Sequence, residues 1–166
     1  MTALREAGKG GELLPLGIWV PILDGDPIAA EIYNQHYSSE RSRKRRLERG
    51  TMLILGPGQK LLLATPCRRA LFAWRVFIDD TGQRGVNCAI FSNRGAGLSS
   101  NLICAADAIA DQRWPGERHY TYVDPGKVSA NPGYCFKMAG WRFVGRTKKR
   151  GLHILERPAV AMAEAA

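Results

Sequence analysis

The sequence predicts an α/β fold in a single domain, in which helices flank a mixed, mostly antiparallel sheet. Strand-like runs separated by short glycine-containing turns occupy residues 51–92 and indicate antiparallel neighbours. A strand–turn–helix–strand unit comes next at residues 86–124 and indicates a parallel crossover. A dinucleotide-binding fold would repeat that unit and place its glycine-rich turn first. Here the turn comes past the middle of the chain, which argues against such a fold.

The bulk composition is that of an ordinary globular protein with a basic surface. Of the 166 residues, 45% are hydrophobic and 23% are charged. This length fits one domain over residues 1–166, with a core from about 15 to 157 and loosely held ends. The formal net charge of +9 favours a polyanionic partner such as nucleic acid.

Cysteine usage and hydropathy predict a soluble protein of the cytoplasm. The four cysteines form no C-x-x-C pair and no regular spacing with the histidines, which argues against structural zinc. Cys88 and Cys104 lie in apolar segments and are predicted to be core thiols. The first residues carry charges where a signal peptide is apolar, and no run of about eighteen apolar residues predicts a membrane span.

The first helical segment is DPIAAEIYNQHYSSERSRKRRLERG, which Asp26 caps and in which Pro27 takes the first helical position. We expect this helix to break near HYSS, and the part of the segment after the break to stop at Gly50. The preceding ELLPLGIWVPIL contains two prolines and predicts a short strand or an extended lead-in. The apolar face of the helix is predicted to carry Ile28, Ile32 and Tyr33.

The remaining elements are predicted from runs of apolar residues and the turns between them. TMLILG, KLLLATP, RALFAWRVFI and VNCAIFS predict four strands, with GPGQ as a hairpin turn between the first two. A helix over LSSNLICAADAIADQRW and a strand over HYTYVD come after them. NPGYCFKMAG predicts a short helix capped by Asn131 with Pro132 in its first position, and WRFVGRTKKRGLHILE predicts two strands. The buried face of the long helix would carry Leu102, Ile103, Ala106 and Ile109.

The junction SNRGAGLSS lies between a predicted strand and a predicted helix and has two interpretations. A helix start offers unpaired N–H groups and a partial positive charge, so this junction is suited to holding a phosphate. An ordinary strand-to-helix turn also uses Gly to relieve strain and Ser to cap the helix. The residues of the junction alone do not decide between the two.

Two motifs resemble the signatures of the GNAT acetyltransferase superfamily. RGAGLS is similar to its Arg/Gln-x-x-Gly-x-Gly/Ala loop, whose amides hold the pyrophosphate of acetyl-CoA, although Ser99 departs from the last position. NPGYCFKMAGW is similar to its second signature, with Asn131, Tyr134, Gly140 and Trp141 at the matching positions. The resemblance implies a GNAT-like domain, with Tyr134 as general acid toward the leaving thiolate. The implied cofactor-binding residues are Arg94, Gly95, Gly97, Ser99, Ser100 and Asn131.

Three further stretches, QHYS, YTYVDPGK and NPGYCFKMAGWR, resemble the phage-encoded Mom family of DNA adenine modification proteins. The resemblance spans about residues 31–155. That family converts adenine N6 in duplex DNA to a carbamoylmethyl (acetamido) derivative, which protects phage DNA from restriction. The resemblance implies catalytic roles for His36, Tyr37, Asp124 and Tyr134.

Each implied catalytic residue also has a plain structural interpretation. Asp124 either accepts the N6 proton or forms the turn before Pro125-Gly126. Tyr134 either protonates a leaving group or is a half-buried aromatic of a short helix. His36 is a base, a metal ligand or a structural histidine, whereas Tyr37 would stack on a flipped base. The family has been linked to iron, but no His/carboxylate triad is evident and no metal ligand is assigned.

Two basic runs, RSRKRRLERG and GRTKKRG, predict contacts to the phosphates of double-stranded DNA, with salt-sensitive and largely sequence-blind binding. A solvated helical face is the alternative for the first run. No recognition helix or zinc finger is evident. The predicted DNA-binding residues are Arg41, Arg43, Lys44, Arg45, Arg46, Lys148, Lys149 and Arg150.

The donor is open between acetyl-CoA and another activated acyl or aminoacyl donor, including charged tRNA. Two other functions remain compatible with the sequence. One is an N-acetyltransferase acting on a protein or a small amine, and the other is a non-catalytic nucleic-acid-binding accessory protein. The oligomeric state is not indicated.

Overall fold

The computed structural model describes residues 17–78, 80, 82–128 and 130–160. Its strands are β1 (Val20–Ile22), β2 (Gln59–Ala64), β3 (Ala70–Val76), β4 (Val86–Asn93), β5 (His119–Val123), β6 (Arg142–Arg146) and β7 (His153–Arg157). Its helices are α1 (Pro27–Asn34), α2 (Glu40–Arg49), α3 (Ser99–Arg113) and α4 (Tyr134–Met138), with a 3-10 turn at Tyr37–Ser39. The α/β class is confirmed.

The seven strands form one mixed sheet in the order β1-β2-β3-β4-β5-β7-β6. Every neighbouring pair is antiparallel except β4 and β5, which are joined through α3 and run parallel. The antiparallel first half, the crossover unit and the final pair of strands are therefore as the sequence predicts. The last two strands form a hairpin in which β7 pairs with β5 and leaves β6 at the edge.

Alternating residues of the strands bury two apolar clusters, one on each face of the sheet. On one face, Leu71 and Ala73 of β3 pack with Ile32 and Tyr33 of α1. On the other face, strand residues including Phe72 pack against α3 and α4. The predicted buried face of α3 is confirmed, because Leu102, Ile103, Ala106 and Ile109 are all buried.

The first helical segment begins, breaks and ends where its sequence predicts. The Asp26 carboxylate accepts from the Ile28 N–H at 2.9 Å, and Pro27 is the first helical residue. The 3-10 turn interrupts the segment at HYSS, and Gly50 ends α2 in the left-handed conformation at φ 62°.

Residues 51–56 form no strand, so the prediction for TMLILG and for a GPGQ hairpin is wrong. The Asp24 carboxylate accepts from the N–H groups of Ile54 and Leu55 at 2.8 and 3.2 Å, and therefore takes the donors that a strand ladder would use. The same carboxylate pairs with Lys60 at 3.1 Å. Ile54 and Leu55 still pack against the α1 cluster.

Cys104 is exposed, so its predicted place in the core is wrong, whereas Cys88 is buried as predicted. Residue 104 lies about 100° around α3 from Ile103, which turns it away from the sheet. Across the described residues, none of the helices has the length and apolar character needed to cross a membrane.

A buried polar cluster fixes α3 against β5 and the start of β6. The Asp107 carboxylate lies 2.7 Å from Nδ1 of His119 and accepts from Nε1 of Trp141 at 2.9 Å. His119 is fully buried, and its Nε2 lies 3.3 Å from Asp111. The hydrogen bonds of Asp107 hold one specific arrangement of the elements that meet there, whereas His119 Nε2 has no hydrogen-bond partner among the described residues.

Gly133, the residue before α4, is predicted to tolerate no side chain. Its φ is 73°, and an added Cβ would lie well inside van der Waals distance of the buried Leu155 Cδ1. We expect Gly133→Ala to lower the free energy of unfolding by roughly 1–3 kcal/mol through this clash. The left-handed φ should lower it by about 1–2 kcal/mol more.

Gly151→Ala is the matched control, because Gly151 has φ 64° and no atom within 4 Å of an added Cβ. Urea unfolding of both variants separates the clash from the backbone term. Equal losses of stability would show that Leu155 yields to the methyl group.

Candidate functional site

The cleft arises where two parallel strands separate. β4 and β5 pair over three residues only, from Val86–His119 to Cys88–Thr121, although both strands continue beyond that point. A register shift between β3 and β4 lies next to this point, since Trp74 pairs with Cys88 and Ala73 with Ile90. Beyond it is a cleft of about 310 Å³. Its lining residues are His36, Tyr37, Phe91, Val123, Val128, Asn131, Gly133, Tyr134, Cys135 and Phe136.

His36 contacts the β4 side of this cleft through its ring. Its Nδ1 accepts from the Ser38 N–H at 3.2 Å and lies 2.8 Å from the Ser38 hydroxyl. The other ring nitrogen therefore carries the proton and donates to the backbone carbonyl of Phe91. Burial lowers the pKa of His36, and the hydrogen bond to Phe91 opposes this only in part. The imidazole is therefore neutral at pH 7.

Tyr37 contacts the β5 side of the same cleft. Its ring centroid lies 4.5 Å from that of His36, and its hydroxyl accepts from the backbone N–H of Asp124. Burial is the main cause that raises the pKa of Tyr37, so its hydroxyl keeps its proton at neutral pH. His36 and Tyr37, two adjacent residues, thus bridge the strands that have separated.

Asp124 does not line the cleft. Its Oδ1 accepts from the Gly126 N–H at 2.9 Å, and its carbonyl accepts from the Lys127 N–H at 3.1 Å. Its side chain therefore forms the turn after β5, as the plain structural interpretation predicts. Its contact with a cleft residue is the hydrogen bond from its backbone N–H to the Tyr37 hydroxyl.

Tyr134 is the first residue of α4, lines the cleft and is 55% exposed. Asn131 also lines the cleft, but the prediction that it caps α4 with Pro132 in the first helical position is wrong. Gly133 lies in the left-handed region and is the residue before the helix, so α4 begins only at Tyr134. The Asn131 side chain accepts from Nζ of Lys137 at 2.8 Å instead.

The predicted donor loop, residues 94–99, is held by Asn93, a residue that the sequence analysis did not single out. Asn93 Oδ1 accepts from the N–H groups of Gly95 and Ala96 at 3.2 and 2.9 Å. Its Nδ2 donates to the carbonyl of Gly97 and to Oγ of Ser99, both at 2.8 Å. An Asn directly before a glycine-rich turn was the available signal, since Asn side chains often bond to the backbone two residues on.

The organised loop leaves the start of α3 open. Leu98 precedes the helix and provides no side-chain cap, while the Ser99 hydroxyl is engaged by Asn93. Gly95 and Gly97 have φ of 93° and 143°, and an added Cβ at Gly97 would meet nothing within 4 Å. N–H groups at the start of a helix attract anions, so the arrangement suits a phosphate.

Two of the predicted DNA-binding arginines are structural. Arg46 is only 8% exposed, donates to Oδ1 of Asn34 at 2.8 Å and lies over the Tyr33 ring at 4.8 Å. Its assignment as a DNA contact is therefore wrong, because the amide and the aromatic ring already hold its guanidinium. Arg43 is exposed, but it donates to the Asn34 carbonyl and to the Ser39 hydroxyl.

The other predicted DNA-binding residues are exposed and lie on two segments near the cleft. α2 begins directly after the His36–Ser39 turn, and its Glu40 pairs with Lys127 at 3.4 Å. The charge of Arg150 acts on the Tyr37 hydroxyl, which places the β6–β7 turn near the cleft as well. The exposed residues are Arg41, Lys44, Arg45, Lys148, Lys149 and Arg150.

Residues capable of holding a metal do not come together in the part of the chain that the structure describes. No group of three or more His, Cys, Asp or Glu side chains there is arranged to hold a metal ion. Among the cleft residues, His36 directs one ring nitrogen to Ser38 and the other to Phe91.

We expect Asn93→Ala to loosen the donor loop without unfolding the protein. Losing hydrogen bonds at this half-buried position should lower the free energy of unfolding by roughly 1–2 kcal/mol. The amides of Gly95 and Ala96 should exchange with deuterium faster, because their acceptor is removed. Asn93→Asp keeps that acceptor and should keep their protection. Unchanged exchange in Asn93→Ala would show that the loop is held by other contacts.

We expect protonation of His36 to destabilise the fold. Because burial lowers its pKa, the unfolded chain binds a proton more readily than the folded chain, and stability falls as the pH drops through about 6.5. The difference in unfolding free energy between the parent and His36→Gln should shrink from about pH 8 to about pH 5. The other histidines cancel in this comparison, and a difference that grows toward acid pH would contradict the assignment.

Taken together, the structure brings His36, Tyr37, Asn131 and Tyr134 to one cleft and leaves Asp124 just outside it. The predicted donor loop lies at the same end of the sheet as the cleft, because it follows the carboxyl end of β4. Comparisons with models of protein families, with curated proteins and with solved structures found no match to this chain.

Proposed function

We propose that this protein is a transferase with a GNAT-like domain that converts adenine N6 in duplex DNA to its carbamoylmethyl derivative. The observation that carries the proposal is the cleft between the ends of β4 and β5. It joins His36 and Tyr37 with Tyr134, residues that are almost a hundred positions apart and that the Mom resemblance implies together.

The donor side is supported by the loop after β4. The open start of α3 suits a phosphate of the donor, whereas the N–H groups of Gly95 and Ala96 already donate to Asn93. The loop precedes α3 and the tyrosine-bearing helix comes after β5, which is the order of the two GNAT signatures. Acetyl-CoA itself would give N6-acetyladenine, so the carbamoylmethyl product requires a donor group that contains nitrogen, such as an aminoacyl group, and this group would reach toward the cleft from its carrier.

The acceptor side is supported by the groups that line the cleft. Adenine N6 is a weak nucleophile and requires a proton acceptor and an aligned electrophile. The neutral His36 is fixed in one tautomer by Ser38 and Phe91, and its Nδ1 would accept the N6 proton only after releasing the Ser38 N–H. Phe91, Phe136 and the tyrosines provide apolar and aromatic surface for a flipped base. Tyr134 at the rim would protonate the leaving group.

Duplex DNA as the substrate is supported by charge. The exposed cations of α2 follow directly after the His36–Ser39 turn, the charge of Arg150 in the β6–β7 turn acts on Tyr37, and the net charge is +9. Such a surface would hold the phosphates while the target base enters the cleft.

The position of Asp124 favours one second candidate, an N-acetyltransferase acting on a protein or small amine. Because the Asp124 side chain forms a turn, no carboxylate is among the described residues that line the cleft. The described lining of the cleft therefore offers no acidic contact for an adenine amino group, which weakens the first candidate relative to the second.

We expect mass spectrometry of nucleosides from cells that produce the protein to reveal a deoxyadenosine heavier by one carbamoylmethyl group. Tyr134→Phe should lower its yield by about 10²-fold or more, because general acid catalysis is removed. Asp124→Ala should lower the yield less, since it keeps the backbone hydrogen bond to Tyr37 and removes only the smaller effect of the carboxylate charge on Tyr37.

Met138→Leu, on the exposed side of the same helix, is the matched control and should leave the yield unchanged. Unmodified DNA in cells that contain folded protein would overturn the proposed function. Acetylation of amines by the purified protein with acetyl-CoA would then support the second candidate.

A further inference from the structure

A cluster of three exposed arginines lies beside the donor loop. Arg68 and Arg69 lie at the end of the β2–β3 turn, and Arg94 is the first residue of the loop. The turn and the loop lie at the same end of the sheet, because Ala70 at the start of β3 pairs with Asn93 at the end of β4. The Arg94 N–H donates to the Arg69 carbonyl at 2.8 Å, which joins the two segments directly.

The β2–β3 turn is a firm support for these side chains. Thr65 holds it by accepting from the Arg68 N–H through its carbonyl at 2.9 Å and from the Ala70 N–H through its hydroxyl at 3.1 Å. Arg68 has φ 61° and is the one non-glycine residue with a positive φ in the described part of the chain. The turn is thus held in one shape that directs two consecutive arginines toward solvent beside the loop.

The charge of this cluster is uncompensated. Within the described ranges, none of the three arginines pairs with a carboxylate, whereas Arg118, Arg142 and Arg157 do. The Arg69 guanidinium lies 3.9 Å from the position of an added Cβ at Gly95, so it faces the loop. Hydrogen bonds from Thr65 and from the Arg69 backbone lower the pKa of the Cys67 thiol to about 7, and the Arg69 guanidinium adds to the effect. The three unpaired guanidinium groups therefore present net positive charge beside the loop.

We propose that Arg69, supported by Arg68 and Arg94, binds a phosphate monoester of a coenzyme-A-type donor, at a subsite separate from the start of α3. This inference rests on the proposed function, because it assumes that the loop after β4 holds the donor. Guanidinium groups suit a phosphate monoester, since its doubly charged oxygens accept several N–H bonds at once. A phosphate at the start of α3 would be bound by backbone N–H groups and would not need these arginines.

Coenzyme A and 3′-dephospho-coenzyme A differ by one phosphate monoester, so they test the subsite directly. By titration calorimetry, the parent protein should bind coenzyme A about tenfold more tightly than the dephospho form. Arg69→Ala should weaken coenzyme A by about tenfold and leave the dephospho form unchanged, which removes the preference. Arg113→Ala, at the far exposed end of α3, should change neither affinity. Thermal unfolding of each variant would verify that it is folded.

Three outcomes would overturn the inference: equal binding of both compounds by the parent, equal weakening of both by Arg69→Ala, or binding of neither. A further measurement, of binding to a DNA duplex, distinguishes a phosphate of coenzyme A from a phosphate of the DNA backbone. If Arg69→Ala weakens binding of a DNA duplex and leaves coenzyme A unaffected, the arginines contact the DNA backbone and the inference fails. A preserved preference for coenzyme A in a protein that leaves DNA unmodified would overturn the proposed function alone.

Discussion

The end of the β4–β5 ladder at Cys88 and Thr121 is the constraint on which the rest of the site depends. Parallel strands that stop pairing leave backbone donors and acceptors that need other partners. The Thr121 hydroxyl donates to the Cys88 carbonyl at 2.9 Å, beside the last paired residues. Beyond it, the strands diverge and a cleft replaces the ladder. Position in the sheet, rather than a large insertion, thus creates the site.

The residues that bridge the separated strands also provide the chemical groups of the cleft. The Phe91 carbonyl of β4 accepts from the His36 ring, and the Asp124 N–H after β5 donates to the Tyr37 hydroxyl. One adjacent pair of residues therefore satisfies a backbone group on each side. The same hydrogen bonds set the tautomer of the imidazole and hold the phenol in place, so folding and the proposed chemistry use the same contacts.

Both walls of the cleft are anchored by polar groups buried away from it. Arg46 joins α2 to Asn34 and Tyr33, which fixes the segment that carries His36 and Tyr37. On the other face of the sheet, Asp107 joins α3 to His119 of β5 and to Trp141 after α4. Buried polar groups of this kind resist rearrangement, because breaking one contact leaves an unsatisfied partner. Outside these anchors, Arg41 and Arg45 of α2 are exposed, while Lys44 pairs with Glu48.

The order of elements, the interruption at HYSS, the stop at Gly50 and the buried face of α3 result from local periodicity and turn chemistry, which a sequence displays directly. Composition also indicates the basic surface. The hydrogen-bond partner of each polar side chain cannot be predicted in this way, because it depends on residues that are distant in the chain. Residues 51–56 have a strand pattern, yet Asp24 takes their N–H groups.

The candidate site divides in the same way. The resemblance of the motifs singles out His36, Tyr37 and Tyr134, and the tertiary structure decides that they share a cleft. It also decides that Asp124 forms a turn, that Arg46 is buried and that Asn93 holds the donor loop. A carboxylate, guanidinium or amide forms whichever hydrogen bonds the folded chain offers. The local sequence pattern does not predict which of these bonds form.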